Sequence, residues 1–138
     1  MSVAVPFSIM VVDDEPSVLQ ILLRSLDLPG FTVVGAESGS AALSTILARE
    51  SPFDLLVTDI RMPVIDGLAL AGRIREVHPS TDVLFISGYA EDPLSGRIPG
   101  DAFFLLKPFS PELFLETVRQ ILQSRTPQGG FSTLPQRS

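Results

Sequence analysis

The stretch LLVTDIRMPVIDG, residues 55–67, joins a short apolar run to an acidic residue and then to turn-forming residues. The run Leu55–Thr58 has the length of a strand, and its apolar side chains are consecutive rather than alternating. Such runs are typical of strands in a parallel sheet that is covered on both faces. Asp59 follows the run directly, while Asp66–Gly67 is an ordinary turn dipeptide that we interpret as structural. We therefore expect a buried strand with a carboxylate at its carboxyl end.

Similar apolar runs recur along the chain, and most are separated by segments in which apolar residues have helical spacing. This alternation predicts an α/β fold: a doubly wound, five-stranded parallel sheet with right-handed crossovers. The strand order expected for such a sheet is the flavodoxin-like order 2-1-3-4-5. The predicted strands are Phe7–Val12, Phe31–Gly35, Leu55–Thr58, Val83–Ser87 and Ala102–Leu106.

Four apolar stripes predict the helices. Pro16 suits the first turn of the first helix, and Ser38 and Ser40 are candidate N-caps of the second. The last helix is expected to begin with Ser110 as N-cap and Pro111 at its first position. The stripes consist of Val18, Leu19, Leu22, Leu23 and Leu26; of Leu43, Ile46 and Leu47; of Leu70, Ala71, Ile74 and Val77; and of Leu113, Leu115, Val118, Ile121 and Leu122.

Two segments depart from this alternation. Ala90–Asp101 contains two prolines and two glycines, so we expect the helix between the fourth and fifth strands to be short or irregular. Residues 124–138, SRTPQGGFSTLPQRS, have the composition of a flexible tail or linker. We therefore expect one domain over residues 1–123, followed by a tail over residues 124–138.

Composition excludes several classes of function. A chain of 138 residues without cysteine has no disulfide framework, thiolate zinc site or cysteine nucleophile. Sixteen acidic residues against ten basic ones, a net charge of -6, argue against direct nucleic acid binding. No apolar stretch approaches the ~18–20 residues of a membrane span, and no signal peptide is evident. We expect a cytoplasmic protein with no membrane association.

Polar residues stand where the predicted strands end. The first strand ends at Asp13, Asp14 and Glu15, and the third at Asp59. In the expected strand order the three aspartates converge, and two unit charges about 4 Å apart repel by roughly 4 kcal/mol at an effective dielectric of about 20. Protonation of one carboxyl group would relieve this repulsion, but Mg²⁺ with its oxygen ligands would do so better at neutral pH.

The fourth and fifth strands end at Ser87 and at Lys107, the one lysine of the chain. A cation, an ammonium group and a hydroxyl around one carboxylate are suited to hold a phosphoryl group. The sequence therefore predicts a site for phosphoryl chemistry at the carboxyl edge of the sheet.

Four motifs carry a family resemblance: VVDDEP at 11–16, TDIRMPVIDG at 58–67, ISGYAE at 86–91 and LKPF at 106–109. Their order and spacing resemble those of response-regulator receiver domains, and the resemblance covers roughly residues 7–123. It implies a phosphorylation-dependent switch, which promotes its own phosphorylation and dephosphorylation but is primarily regulatory. The implied partners are a sensor histidine kinase or a histidine phosphotransfer protein, and a downstream protein that the sequence does not identify.

The resemblance also implies roles for individual residues. Asp59 would accept the phosphoryl group, and Lys107 would pair with it. Ser87 would move onto the phosphoryl group, and the side chain of Phe104 would follow that movement. We expect Phe104 to spend time in the core.

The implied Mg²⁺ ligands are Asp14 and Asp59, with Asp13 acting largely through water and the backbone carbonyl of Arg61 completing the set. Arg61 and Tyr89 would line access to the phosphoryl group and tune how fast it is lost. The Lys107–Pro108 bond is expected to be cis.

Other functions are left open with less support. A Mg²⁺-dependent phosphatase working through an aspartyl phosphate would need a second aspartate at the position of Arg61. A nucleotide- or flavin-binding module would not place three acidic residues after the first strand. A docking module that is never phosphorylated would not need the acidic cluster. The chain could equally be a receiver excised from a longer hybrid sensor kinase, because its ISGYAE and FFLLKPFSPELF segments resemble such receivers.

Overall fold

The computed structural model describes residues 6–88, 100–123 and 125. Within these ranges the strands are β1 (Phe7–Val12), β2 (Phe31–Ala36), β3 (Leu55–Asp59), β4 (Asp82–Ser87) and β5 (Phe103–Leu106). The helices in the same ranges are α1 (Pro16–Ser25), α2 (Gly39–Ala48), α3 (Gly67–Val77) and α4 (Pro111–Leu122). Each predicted strand is present, with bounds that differ by at most one residue at an end.

The five strands form one parallel sheet in the order β2-β1-β3-β4-β5, which confirms the predicted fold class. Val12 of β1 lies opposite both Ala36 of β2 and Thr58 of β3. Ser87 of β4 lies opposite Leu106 of β5. This register brings the carboxyl ends of the strands to one edge of the sheet.

Alternate residues of each strand point to opposite faces, and each face is covered by a pair of helices. Met10 and Val12 of β1 lie in the core between the sheet and helices α2 and α3. Ile9 and Val11 lie in the core between the sheet and helices α1 and α4. Because both sets are buried, the strands need consecutive apolar residues, and this explains the unalternating runs of the sequence.

Local signals set the helix starts as predicted. Pro16 occupies the first turn of α1. The Ser38 side chain accepts a hydrogen bond from the Ala41 N–H and caps α2, so the cap is Ser38 rather than Ser40. The Ser110 hydroxyl accepts from the Leu113 N–H at the start of α4.

Three predicted stripe residues do not face the core. Leu47, Val77 and Leu113 are all exposed, while Phe114 is fully buried although the predicted stripe omitted it. Leu113 and Phe114 are adjacent apolar residues, and only the rotation of α4 against the sheet decides which of them is buried. Helical periodicity is too coarse to distinguish such neighbours.

Two predictions fall on parts of the chain outside the described residues. They are the short or irregular helix of Ala90–Asp101, of which only Gly100 and Asp101 are described, and the tail 124–138, of which only Arg125 is described. Among the helices of the described ranges, none combines the length and the apolar character that crossing a bilayer requires.

Candidate functional site

The carboxyl edge of the sheet holds a cavity of about 460 Å³. Its lining comes from four separate strand ends and the loops that follow them, which the parallel register brings together. The lining residues are Asp14, Glu15, Asp59, Arg61, Ser87, Gly88 and Lys107. Clefts outside the carboxyl ends of parallel strands are where folds of this type bind ligands.

Three carboxylates meet at this edge. Asp13, Asp14 and Asp59 each place one carboxylate oxygen within 4.8 Å of the others. Asp13 is fully buried, whereas Asp14 and Asp59 are half-buried and face the cavity. The predicted convergence of the three aspartates is therefore present in the structure.

The surroundings of Asp13 show how this cluster fits a cation. Its Oδ1 accepts a hydrogen bond of 2.9 Å from the Glu15 N–H. Its Oδ2 is buried and accepts no hydrogen bond from the described residues, although the Lys107 ammonium lies 3.5 Å from it as an ion-pair partner. A buried carboxylate oxygen left in this way is costly. Clustered carboxylate oxygens are the donor set that a hard divalent cation such as Mg²⁺ prefers, and the residues present fit that ion.

In the described part of the chain, the one ammonium group close to these carboxylates is that of Lys107. Its Nζ lies 3.4 Å from Asp59 Oδ2 and 3.5 Å from Asp13 Oδ2. Its backbone N–H donates a hydrogen bond of 2.7 Å to the Ser87 carbonyl, which fixes the start of the loop after β5 against the end of β4. The Lys107–Pro108 bond is cis, as predicted.

Burial and charge act in opposite directions on these groups. Burial raises the pKa of Asp13 and of Asp59 above the ordinary value, and the nearby Lys107 charge only partly offsets this effect. Burial also disfavours the Lys107 ammonium, but the charges of Asp59 and Asp13 outweigh it and raise the pKa of Lys107. The lysine therefore stays protonated at neutral pH, while the two carboxyl groups hold their protons more tightly than exposed ones.

The remaining predicted site residues differ in how they relate to the cavity. Ser87 and Arg61 both line it, Ser87 as a buried side chain and Arg61 as an exposed one. Phe104 on β5 is 37% exposed in this conformation, and its expected time in the core stays a prediction. Tyr89 lies outside the described residues.

Glu15 has a part in the site that the sequence analysis did not assign. It lines the cavity, and its backbone N–H orients the buried Asp13 carboxylate. Aspartates often accept a hydrogen bond from the N–H two residues ahead, so the local sequence contained a signal for this contact.

Comparison with known proteins points to one family. Residues 9–119 match the response regulator receiver domain. The sensor kinase CckA of Brucella abortus (strain 2308) is 37% identical over 120 residues, which cover 86% of this chain and 13% of CckA. The response regulator receiver protein CpdR of the same strain is 33% identical over 116 residues, which cover 83% of this chain and 95% of CpdR.

Solved structures agree with this match. The chemotaxis protein CheY4 of Vibrio cholerae superposes with a TM-score of 0.75 at 27% sequence identity, covering 86% of this chain and 100% of that one. The BeF3-activated receiver domain of DrrB gives a TM-score of 0.74 at 27% identity over 86% of this chain and 99% of that one. The chain thus spans nearly the whole of some relatives and a small part of others.

Proposed function

The chain belongs to the response regulator receiver domain family of two-component signalling, and from this premise we propose that it is a phosphorylation-dependent switch with Asp59 as its phosphoryl acceptor. The observation that carries the proposal is the position of the Asp59 carboxylate. It lies in the cavity wall, beside the Asp13 and Asp14 carboxylates and 3.4 Å from the Lys107 ammonium.

The reaction is a transfer from a phosphohistidine of a partner protein. A carboxylate oxygen of Asp59 attacks phosphorus, the new O–P bond forms as the P–N bond breaks, and the electron pair of that bond remains on the imidazole nitrogen. Hydrolysis of the resulting acyl phosphate by water later returns the free carboxylate. Such transfers depend mainly on positioning and on charge stabilisation, both of which a set of fixed strand ends can supply.

Mg²⁺ is the cofactor we propose, held by Asp13, Asp14, Asp59 and the backbone carbonyl of Arg61. When bound, it supplies positive charge for the oxygens of the transferring phosphoryl group. The buried Asp13 carboxylate is oriented toward the proposed Mg²⁺ position. The hydrogen bond from the Glu15 N–H helps to fix this orientation.

Lys107 and Ser87 serve the phosphoryl group directly. The Lys107 ammonium stabilises its negative charge, and a compact ammonium on a flexible stem can follow a phosphoryl group between two positions. The Ser87 hydroxyl donates a hydrogen bond to it after phosphorylation. Arg61, which lines the cavity, and Tyr89 tune the lifetime of the acyl phosphate.

The switch we propose runs from Ser87 to Phe104. Inward movement of Ser87 opens space that the exposed Phe104 ring fills, and the surface around β5 changes. A downstream protein reads that surface, and a sensor histidine kinase or a histidine phosphotransfer protein supplies the phosphoryl group. Direct nucleic acid binding is not part of the proposal, since the net charge is -6.

The receiver unit we propose spans residues 1–123, with residues 124–138 as a tail or linker whose Arg125 bonds back to Asp82 and Ser80 of the domain. The relationship to CpdR favours a chain that acts alone, since the similarity covers 95% of that protein. The relationship to CckA favours a receiver that forms part of a larger sensor kinase, of which it covers 13%. The chemistry at Asp59 is the same in both arrangements.

The test is the intact mass of the protein after incubation with Mg²⁺ and a small acyl phosphate donor. We expect a gain of one phosphoryl group that is lost in Asp59→Asn and in the absence of Mg²⁺. Asp66→Asn is the matched control, because Asp66 caps α3 through its side chain and does not line the cavity. Incorporation in Asp59→Asn would reveal another acceptor, and no incorporation in the wild-type protein from either the donor or a phosphorylated kinase would contradict the proposal.

A further inference from the structure

Gly67, the first residue of α3, lies against the main chain of Asp59. A Cβ atom added to Gly67 would lie 2.1 Å from the Asp59 carbonyl oxygen and 3.0 Å from its carbonyl carbon. It would also lie 3.1 Å from the Ile60 Cα. The neighbouring atoms belong to the backbone, so they cannot rotate away as a side chain would. The glycine is therefore required for space.

The backbone of Asp59 and Ile60 is held by further hydrogen bonds. The Thr58 hydroxyl donates a hydrogen bond of 2.9 Å to the Asp59 carbonyl. The Ile60 N–H donates one of 3.0 Å to the Ile86 carbonyl of β4, and the Gly67 N–H donates one of 2.8 Å to the Ile60 carbonyl. Helix α3 thus starts in direct contact with the backbone that carries the acceptor side chain.

We infer, on the basis of the proposed function, that Gly67 is a positioning residue for phosphoryl transfer to Asp59, and that the Thr58 hydroxyl assists it. Any side chain at position 67 forces either the start of α3 or the Asp59 carbonyl to move by about 1 Å. Where the Asp59 carbonyl gives way, its carboxylate moves with the backbone, away from the position between Lys107 and the other aspartates where the phosphoryl group is received. Misplacement of about 1 Å can lower the rate of such a reaction by about 100-fold.

Two other glycines of the described chain separate this effect from a general loss of packing. A Cβ added to Gly39 of α2 would lie 2.8 Å from the carbonyl oxygen of Ile65, in the loop between β3 and α3. A Cβ added to Gly72, within α3, would meet no described atom within 4 Å. Gly39→Ala is therefore a control with a milder backbone clash, at Ile65 instead of Asp59, and Gly72→Ala is a control without a clash.

The experiment compares the initial rate of phosphorylation by a small acyl phosphate donor at saturating Mg²⁺ for the wild-type protein and the three variants. Each rate is divided by the folded fraction, obtained from a melting curve of the same sample. We expect Gly67→Ala to lose about 10- to 100-fold in rate, and Gly39→Ala and Gly72→Ala to stay within about twofold of the wild type even where the melting temperature of Gly39→Ala falls. A wild-type rate in Gly67→Ala, or an equal loss in Gly39→Ala, would overturn the inference.

Thr58→Val keeps the experiment decisive if Gly67→Ala does not fold. It removes the hydroxyl that holds the Asp59 carbonyl while keeping a β-branched side chain in a buried strand position. We expect a clear loss of rate, smaller than that of Gly67→Ala, and a wild-type rate in Thr58→Val would then contradict the inference. A wild-type protein that takes up no phosphoryl group would instead contradict the proposed function, so the two failures are distinguishable.

Discussion

The ammonium of Lys107 lies 3.4 Å from the carboxylate of Asp59, although 48 positions separate the two residues in the chain. The same lysine approaches Asp13 to 3.5 Å and is bonded through its backbone to the end of β4. One residue thus connects the proposed acceptor, the buried member of the acidic cluster and the strand that ends in Ser87. This connection gives Lys107 two separable roles, in charge stabilisation and in coupling.

Lys107→Ala should still permit some phosphorylation of Asp59 but should not transmit it. Without the ammonium, the phosphoryl group has nothing at this position to draw the loop after β5 toward it. The measurement is the change in amide chemical shifts of Ser87 and Phe104 when beryllofluoride is added. We expect the shifts to be much smaller than in the wild-type protein.

Lys107→Arg is the control, because it keeps the charge and changes the shape of the side chain. It should retain more of the shift change than Lys107→Ala. A wild-type response in Lys107→Ala would remove Lys107 from the coupling pathway.

Mg²⁺ should raise the melting temperature of the protein. The ion relieves the repulsion among Asp13, Asp14 and Asp59, whose carboxylate oxygens lie within 4.8 Å of one another. A free Mg²⁺ concentration about tenfold to a hundredfold above Kd stabilises by about 1–3 kcal/mol, which corresponds to a rise of roughly 5–10 °C for a domain of this size. Differential scanning calorimetry measures this rise.

Asp14→Asn should lose most of the Mg²⁺ effect on melting, whereas Asp66→Asn should keep it. Asp66→Asn is the matched control because it also removes one negative charge, but from a carboxylate that caps α3 and lies outside the acidic cluster. A melting temperature that does not respond to millimolar Mg²⁺ in the wild-type protein would be evidence against an ion site at this edge.

The metal-free protein should become more stable as the pH falls from 7 toward the ordinary carboxyl pKa of 3.8. Burial raises the pKa of Asp13 and of Asp59 in the folded state above the ordinary value of 3.8, so the folded protein binds protons more readily than the unfolded chain. Stability therefore rises as the pH falls through the raised pKa values and levels off near 3.8. Urea unfolding in the presence of a chelator measures the free energy at each pH.

Asp59→Asn should flatten this pH dependence, because it removes one of the two groups. Burial lowers the pKa of Lys107, but the same carboxylates raise it by more. Lys107 therefore titrates far above the pH range of this experiment. The Arg75 ion pair lowers the pKa of Asp101. The stability that this pair contributes is therefore lost only when the pH falls below the ordinary carboxyl pKa. A free energy of unfolding that falls steadily from pH 7 to pH 5 would contradict the prediction.

Val64→Gly should stabilise the fold. Val64 lies in the loop between β3 and α3 with a φ of 68°, in the left-handed region that β-branched residues rarely adopt, and its side chain is 96% exposed. Glycine removes this strain at no cost in buried contacts, and the gain should be about 1 kcal/mol in the free energy of unfolding. Val64→Ala should gain less, because alanine keeps the Cβ, and a loss of stability in Val64→Gly would show that the loop is not strained there.

Arg125→Ala should destabilise the protein by about 1–3 kcal/mol. The Arg125 guanidinium donates hydrogen bonds to the Asp82 carboxylate and to the Ser80 carbonyl, and it lies 3.5 Å from the fully buried Asp54. Urea unfolding should separate this variant from Arg119→Ala, which changes an exposed arginine of α4 and should stay within about 0.5 kcal/mol of the wild type. Equal losses in the two variants would mean that the contacts of Arg125 contribute little.

Local patterns were sufficient to predict the elements of the fold and the polar residues that follow its strands. The apolar run before Asp59 predicted β3, and the structure extends that strand by one residue to include Asp59 itself. The strand order then followed from the class of fold, and it brought residues of four strand ends together. Local patterns failed where a choice between neighbours was needed, as for Leu113 and Phe114, because periodicity does not define the rotation of a helix against a sheet.

Residues close together in the chain specify which segments form strands and helices, which residues stand at the strand ends and which chemistry those residues suit. The distances that the chemistry requires depend instead on how the folded elements pack. The 3.4 Å from Lys107 to Asp59 and the contact of Gly67 with the Asp59 carbonyl are of this kind. Such relations join residues on different elements, and they are set by how the elements pack. In the sequence, Asp66–Gly67 marks a turn. The folded chain gives a second reason for the glycine, because a side chain at position 67 would have no space beside the carbonyl of Asp59.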